Sequence, residues 1–315
     1  MQANAIVRPL REKDLPEAKR IFHVAFGTFL GLPNPMEFYP DRDYVRTRYI
    51  ADSSAAFGAE VQGELVASNF VTNWGTTGFF GPLTIRPDHW DRGIAKCLLK
   101  PTMEIFEKWG TKHAGLFTFA HSPKHVGLYQ KFGFWPRFLT AVMSMDVRQN
   151  KNAHGWTRYS QLNEAERAEC LRAAAELTHT IYDGLDVGSE VRTIAAQRLG
   201  DTVLLSGSSG LTGLALCHCG ADTEAGNDTC YIKFAAVRRG RKAAQLFDRL
   251  LDACEAFATS RQLRRIEAGV NLARQEAYHR MLARGFRTAF QGVTMHKPNE
   301  PGYSRPGVYV IDDWR

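Results

Sequence analysis

The sequence lacks any apolar run long enough to cross a membrane. No segment approaches the roughly 20 consecutive apolar residues that a spanning helix needs. The first residues, MQANAIVRPLREKDL, bring in charges before the apolar part of a secretory signal could form. We therefore expect a cytoplasmic protein with no membrane partner.

Cysteine is scarce as well, with six residues scattered over a chain of 315. So few thiols do not make the disulfide framework of a small secreted protein. Cys217 and Cys219 flank His218, but they would share one face of a strand, and no second Cys/His pair follows at the spacing of a zinc site. We expect reduced thiols that pack in the core, and no metal.

Charge of one sign is nowhere concentrated over a long stretch. The net charge is +7, and basic and acidic residues are interleaved in both halves, with compact basic clusters at residues 238–242 and 261–265. An RNA or DNA binder is therefore the weakest hypothesis, and the mild excess suits an anionic small cofactor equally well. With 44% hydrophobic and 23% charged residues, the composition also excludes wholesale disorder.

The order of predicted elements in the first half of the chain recurs in the second. Each half has successive strands, a long helix, a further strand, a second helix and a Gly-Phe pair. Phe134 and Phe286 end the two Gly-Phe pairs and lie 152 residues apart, while Ile6 and Thr157 lie 151 apart. An offset kept at both ends of the unit indicates a duplication.

The duplication divides the chain into two mixed α/β units. We predict unit one at residues 1–148, a polar linker at residues 149–156, and unit two at residues 157–315 with a final short strand, VYVIDDW. Each unit should hold a mixed, mostly antiparallel sheet with flanking helices. The pairing of the final strand is left open, and one option is a pairing across the two units.

The sharpest local motif is GPLTIRPDHWDRGIAKCLL. A strand ends at Ile85, and a helix follows whose first turn carries the small residues Gly93 and Ala95. Bare amides at a helix start form an anion site that a phosphate can approach closely. Within the strand, Gly81 and Pro82 predict a bulge that would splay the strand from its neighbour HAGLFTFA and open a cleft.

A second motif, HSPKHVGLYQKFGFWPR, predicts a helix with Tyr129 near the mouth of that cleft. In this order the two stretches resemble the GNAT superfamily of acetyl-CoA-dependent acyltransferases. There the loop has the pattern Gln/Arg-x-x-Gly-x-Gly/Ala, as at residues 90–95, and the later helix has Asn-x-x-Ala-x-x-x-Tyr, as at residues 122–129. Trp90, Ser122 and His125 depart from those patterns. The resemblance covers residues 5–147 and, more loosely, residues 156–296.

The resemblance implies that unit one binds acetyl-CoA. Unit two is degenerate, because Lys242 stands at the position of the loop glycine and Met281 at that of the tyrosine. Arg92 and Lys96 would supply positive charge beside the pyrophosphate. The cofactor residues implied in unit one are Leu83, Thr84, Ile85, Asp91, Arg92, Gly93, Ile94, Ala95, Lys96 and Ser122.

As an enzyme of this family the protein would be an N-acetyltransferase in which a primary amine attacks the thioester directly. Backbone amides near residues 83–85 would stabilise the oxyanion, and Tyr129 would protonate the leaving thiolate. The bulged strand, residues 78–85, contains no carboxylate, so we assign the base to His121, with His125 as a lesser candidate.

The acceptor would be a small-molecule or peptide amine held beside the aromatic loop that follows the first helix. The candidate substrate residues are Phe29, Glu37, Phe38, Asn73 and Trp74. A hypothesis from another class is a non-catalytic acyl-CoA-binding sensor or interaction protein, favoured by the missing carboxylate and by Trp90. The oligomeric state, including a homodimer, is left open.

Overall fold

The computed structural model describes residues 5–148, 153–208 and 210–315, and these build a mixed α/β molecule. Unit one contains the strands β1 (Ile6–Pro9), β2 (Ala56–Val61), β3 (Glu64–Trp74), β4 (Thr77–Phe80), β5 (Thr84–Ile85), β6 (His113–Thr118) and β7 (Trp135–Asp146). Its helices are α1 (Leu15–Phe29), α2 (Tyr44–Ala51), α3 (Ile94–Lys108) and α4 (Pro123–Gln130).

Unit two repeats this succession. Its strands are β8 (Trp156–Arg158), β9 (Gly200–Gly207), β10 (Gly210–Gly220), β11 (Gly226–Val237), β12 (Arg265–Asn271), β13 (Arg287–Lys297) and β14 (Val310–Ile311). Its helices are α5 (Glu164–His179), α6 (Gly188–Gln197), α7 (Ala243–Ser260) and α8 (Gln275–Arg284). Of the predicted linker, residues 149–152 lie outside the described residues, and Trp156 already begins β8.

The strands of both units join into one continuous sheet. Its order is β1-β2-β3-β4-β6-β13-β7-β12-β11-β10-β9-β8, with β5 paired to β3 and β14 paired to β11. Most neighbours are antiparallel, while β4 with β6 and β11 with β12 are the parallel pairs among these strands. The predicted fold class is therefore confirmed.

The last long strand of each unit lies in the sheet of the other unit. β13 pairs with β6, where Met295 is opposite Leu116, and β7 pairs with β12, where Met145 is opposite Ile266. β7 and β13 also pair with each other at the centre of the sheet. The sequence predicted the two strands but not their exchange. Because the units are duplicates, each strand could complete the sheet of its own unit or that of the other unit.

The final strand pairs within its own unit. Val310 and Ile311 lie opposite Ala236 and Ala235 of β11, and β14 also contacts β12. Pairing across the units is therefore wrong for this strand. The two residues that follow Asp313, however, extend towards unit one.

Helix α7 covers the sheet of unit two with an apolar stripe. Phe247, Leu250 and Phe257 are at most 1% exposed because every third or fourth residue of the helix faces the sheet. The side chains of Cys217, Cys219, Cys230 and Cys254 are buried in the same core, which confirms the predicted packing of Cys217 and Cys219.

Buried ion pairs connect the units beneath the sheet. Arg42 donates two 2.9 Å hydrogen bonds to Glu267, and Arg48 pairs with Glu224 at 2.9 Å. Burial alone would raise the pKa of Glu267, but Arg315 and Arg42 outweigh it and hold that pKa to about 2. A buried charge is costly without a partner, so these ion pairs hold unit one and unit two in a defined relative position.

Candidate active site

A cleft opens in unit one where β4 and β6 separate. The two strands are parallel neighbours as far as Phe79 and Gly115, and then residues 81–83 leave the sheet before β5 pairs with β3 instead. Arg48 donates a 2.6 Å hydrogen bond to the Gly81 carbonyl and so holds this bulge. Among the described residues the Leu83 amide has no hydrogen-bond partner. The predicted bulge thus exposes a backbone donor at the cleft.

A first cavity of about 520 Å³ lies between the start of α3 and helix α4. Gly93 precedes α3 with φ of 81°, a left-handed conformation that favours glycine, and no side chain caps the helix. The amides of the first turn, at Ile94 and Ala95, therefore stay available to an anion. The space beside the α-carbon of Gly93 is open, so a phosphate can approach the backbone there.

Lysine side chains give this cavity a positive lining. Lys96, Lys124 and Lys131 all border it. Lys124 pairs with Asp91 at 2.7 Å, and its ammonium lies 5.7 Å from the centre of the Trp90 ring. Trp90, the departure from the family loop, donates from Nε1 to the Ile85 carbonyl at 2.7 Å and so ties the loop to β5.

Eight of the ten predicted cofactor residues border the first cavity: Leu83, Thr84, Ile85, Asp91, Gly93, Ile94, Ala95 and Lys96. Arg92 does not, because its side chain is exposed on the outer side of the loop. Ser122 does not either, since its hydroxyl caps α4 by accepting from the His125 amide at 3.4 Å. Lys124 and Lys131 were missed, although their place on the predicted helix beside the cleft was a usable signal.

A second cavity of about 380 Å³ adjoins the first. The two share a set of lining residues, namely Phe26, Leu83, Phe119, His125 and Tyr129. Unit two completes the second cavity with Phe290 and Gln291 of β13 and with Trp314 and Arg315. A molecule in each cavity would therefore meet the other beside Tyr129.

Tyr129 is 7% exposed and stands with its ring edge-on to Phe80, at 5.7 Å between ring centres. Burial raises the pKa of its phenol well above 10, so the hydroxyl keeps its proton at neutral pH. No described residue forms a hydrogen bond with that hydroxyl. The phenol is thus a free proton donor at the junction of the cavities.

Two histidines lie near this phenol. His125 precedes Tyr129 by one helical turn and borders both cavities, whereas the exposed His121 borders only the second. Burial, with Lys124 and His121 nearby, lowers the pKa of His125 below 6.5, and its Nδ1 is buried without a partner. The neutral imidazole of His125 is therefore ready to accept a proton.

The predicted substrate residues are dispersed. Phe38 borders the second cavity and Phe29 the first. Glu37 borders neither; its carboxylate accepts from the Asn34 amide group at 3.4 Å in an exposed turn.

Asn73 and Trp74 also lie away from both cavities. The Asn73 side chain accepts from the Gly75 amide at 2.7 Å, and Trp74 is 1% exposed, packed against Phe79 and Phe234 in the core of unit two. This end of β3 is covered by unit two, which the sequence did not reveal.

The equivalent cleft of unit two is filled by the chain itself. β14 pairs with Ala235 and Ala236, which occupy the positions that Leu83 and Thr84 hold beside the parallel pair of unit one. Arg274 secures β14 by donating to the Val310 carbonyl at 2.9 Å and to Asp312 at 2.6 Å. The backbone donors of this cleft are thus already engaged.

Within the described residues, no group of three or more His, Cys, Asp or Glu side chains is arranged to hold a metal ion. In the same ranges, no helix has the length and apolar character needed to cross a membrane.

The GNAT acetyltransferase family model matches residues 20–134, which is most of unit one. No curated protein matches the chain.

Several solved structures match over both units. A protein from Pyrococcus horikoshii named as an acetyltransferase aligns with a TM-score of 0.71 and 14% identity, over 98% of this chain and 95% of its own. A GCN5-related N-acetyltransferase from Sphaerobacter thermophilus aligns at 0.58 and 16% identity, over 94% and 96%. A tandem GNAT protein from the clavulanic acid biosynthesis pathway aligns at 0.56 and 14% identity, over 93% and 98%.

These structural likenesses establish the fold for the whole length, and the family model adds the match in unit one. Residues 20–134 therefore match the GNAT acetyltransferase family, and the chain as a whole has the fold of solved structures that include a tandem GNAT protein.

Proposed function

We propose that the protein is an acetyl-CoA-dependent N-acetyltransferase whose active site lies in unit one and whose acceptor is a primary amine. One observation carries the proposal: two cavities, one lined by helix-start amides and lysines and the other by aromatic rings, meet at a buried protonated tyrosine. An enzyme that joins two substrates must hold their reacting atoms next to each other, and two adjoining cavities allow this.

The first cavity fits acetyl-CoA by its charge and its backbone. The amides at Ile94 and Ala95, beside the open face of Gly93, would hold the pyrophosphate, with Lys96 and Lys124 balancing its charge. When bound, acetyl-CoA supplies the acetyl group as a thioester. The cleft between β4 and β6 would admit its narrow arm towards Tyr129.

The residues at the junction divide the proton transfers between them. His125 would accept the proton that the amine nitrogen loses as the carbon–nitrogen bond forms. The Leu83 amide would donate a hydrogen bond to the carbonyl oxygen as its negative charge grows. Tyr129 would give its proton to the sulfur as the carbon–sulfur bond breaks, forming the CoA thiol, and the proton held by His125 would then pass through water to the Tyr129 phenolate.

Unit two would serve as scaffold and as one wall of the acceptor cavity. Its own cleft is occupied by β14, and its Met281, at the tyrosine position, is fully buried in the core. We place the activity in unit one because its cleft is open, whereas the cleft of unit two is occupied by β14.

The test is release of free thiol from acetyl-CoA by the purified protein with a panel of primary amines. We expect release that depends on the amine and yields one acetylated amine per thiol. Tight binding of acetyl-CoA without release by any amine would contradict the proposal and support a non-catalytic acyl-CoA sensor.

A further inference from the structure

About half of the residues that line the second cavity are Phe, Tyr or Trp. The rings come from α1, the following loop, the cleft strands and unit two, as with Phe22, Phe26, Phe38, Phe80, Phe119 and Phe290. Rings of this kind bury a large apolar body and stack on a flat one. A volume of about 380 Å³ falls in the range of small-molecule pockets.

No aspartate or glutamate is among the residues that line this cavity. Two carboxylates of unit two, those of Glu267 and Asp313, are engaged by Arg315, which donates to each of them at 2.8 Å. Tyr44 is also in the lining, and burial raises the pKa of its phenol, so it stays uncharged. The described lining therefore offers no carboxylate side chain to pair with an ammonium group.

Arg315 is the one Lys or Arg among the described residues of the lining, and its side chain is only 8% exposed because it is paired with Glu267 and Asp313. It therefore adds no counter-ion for a cation. A second ammonium group on the acceptor would lose its water here without a carboxylate side chain of the lining to pair with. Attraction to aromatic faces, about 0.5–2 kcal/mol, does not offset that loss.

We infer that the acceptor is a small monoamine with an aromatic or apolar body, which reacts in its uncharged form, and that polyamines and amino sugars are excluded. This inference rests on the proposed function. The specificity is shared between the units, because β13 of unit two supplies part of the wall through Phe290 and Gln291.

A substitution at Gln291 can test whether the lack of a carboxylate in the lining excludes polyamines. It is exposed at the rim and borders the cavity, so Gln291→Glu adds one carboxylate with almost no change of shape. Gln275, at the start of α8, is equally exposed and borders neither cavity, so Gln275→Glu is the matched control.

The experiment compares 2-phenylethylamine and hexylamine with spermidine and glucosamine, by kcat/KM in the thiol-release assay and by calorimetric binding in the presence of CoA. We expect both apolar amines to exceed both polar ones by about 10²-fold, because the lining leaves a second ammonium group of spermidine without a carboxylate partner and buries the hydroxyls of glucosamine among apolar rings. Gln291→Glu should narrow the ratio to spermidine by about 10-fold and leave the ratio to glucosamine unchanged, since glucosamine has no second ammonium group; Gln275→Glu should change neither. A preference for spermidine or glucosamine, or an unchanged ratio to spermidine in Gln291→Glu, would overturn the inference.

Failure of the underlying activity would look different. If the protein released no thiol with any amine, the acetyltransferase proposal would fall, yet the order of binding measured by calorimetry would still decide the acceptor class. Stronger binding of the apolar amines would then support the inference, and equal or weaker binding would refute it.

Discussion

Among single residues, Tyr129 has the main role in the proposed reaction. Its ring packs edge-on against Phe80, and the residue lines both cavities. Because burial raises the pKa of the phenol, this group can give a proton but does not rest as an anion.

Replacing this phenol tests its role as a proton donor. Tyr129→Phe should lower kcat by about 10²-fold or more, because only the leaving sulfur needs the proton. Acetyl-CoA affinity should change little, since the ring remains. Steady-state kinetics and calorimetry measure both quantities, and an unchanged kcat would remove Tyr129 from the mechanism.

The two histidines can be separated by the pH dependence of the rate. Because burial lowers the pKa of His125, the wild-type kcat/KM should fall only on the acid side of about 6.5, where the imidazole becomes protonated. His125→Ala should remove that acid limb and most of the activity. His121→Ala is the control, and loss of the limb in that variant instead would restore His121 as the base.

The residues predicted for the cofactor lie together in the structure, whereas those predicted for the substrate are dispersed. Gly93 and Tyr129 belong to short motifs whose spacing is set locally by one loop and one helix. Asn73 and Trp74 were misplaced because their environment depends on unit two, which covers that end of β3. Phe290 and Trp314 could not be found, since contact across 150 or more residues leaves no local pattern.

At the scale of elements, the exchange of β7 and β13 is the main structural result. Each unit has its own core, yet each sheet is completed by a strand of the other. The succession of elements was predictable from periodicity and from the repeat. The exchange of β7 and β13 was not predictable from the sequence. The two strands come from corresponding places of the repeat, so either one could complete the sheet of either unit.

The exchanged strands predict that both units unfold together. Pulling β13 from β6 would break the sheet of unit one and the centre of the molecule at once. We expect one thermal transition in which the calorimetric and van't Hoff enthalpies agree. Two resolved transitions would show that the units are independent and contradict this view of the exchange.

At the scale of the whole molecule, three buried histidines couple stability to pH. Burial lowers the pKa of His113 and His218 to about 4 and that of His296 to about 3, from the ordinary 6.5. In the unfolded chain these groups take up protons near pH 6.5, whereas in the folded protein they stay neutral. The unfolded state therefore binds more protons between about pH 6.5 and 4, and stability falls as the pH falls through that window.

The expected loss is about 1.4 kcal/mol per histidine for each pH unit within the window. Urea unfolding at pH 7 and pH 5 measures it. His218→Gln should weaken the dependence, because glutamine does not titrate, and the matched His154→Gln, at an exposed position, should not. Equal stability at the two pH values would contradict the neutral burial of these rings.

The whole molecule is also asymmetric in its two clefts. Unit one keeps its cleft open beside a loop of bare amides, and unit two closes its own with β14. We therefore expect one chain to bind one molecule of acetyl-CoA, in unit one.

The most informative measurement is a calorimetric titration with acetyl-CoA on wild type, Gly93→Glu and the control Gly110→Glu. Gly110 also has a left-handed backbone and open surroundings, but it follows the opposite end of the 15-residue helix α3. We predict one molecule per chain for wild type and Gly110→Glu, and affinity reduced at least about 10²-fold in Gly93→Glu by loss of the anion site. Two molecules per chain, no binding by wild type, or unchanged binding by Gly93→Glu would contradict the account.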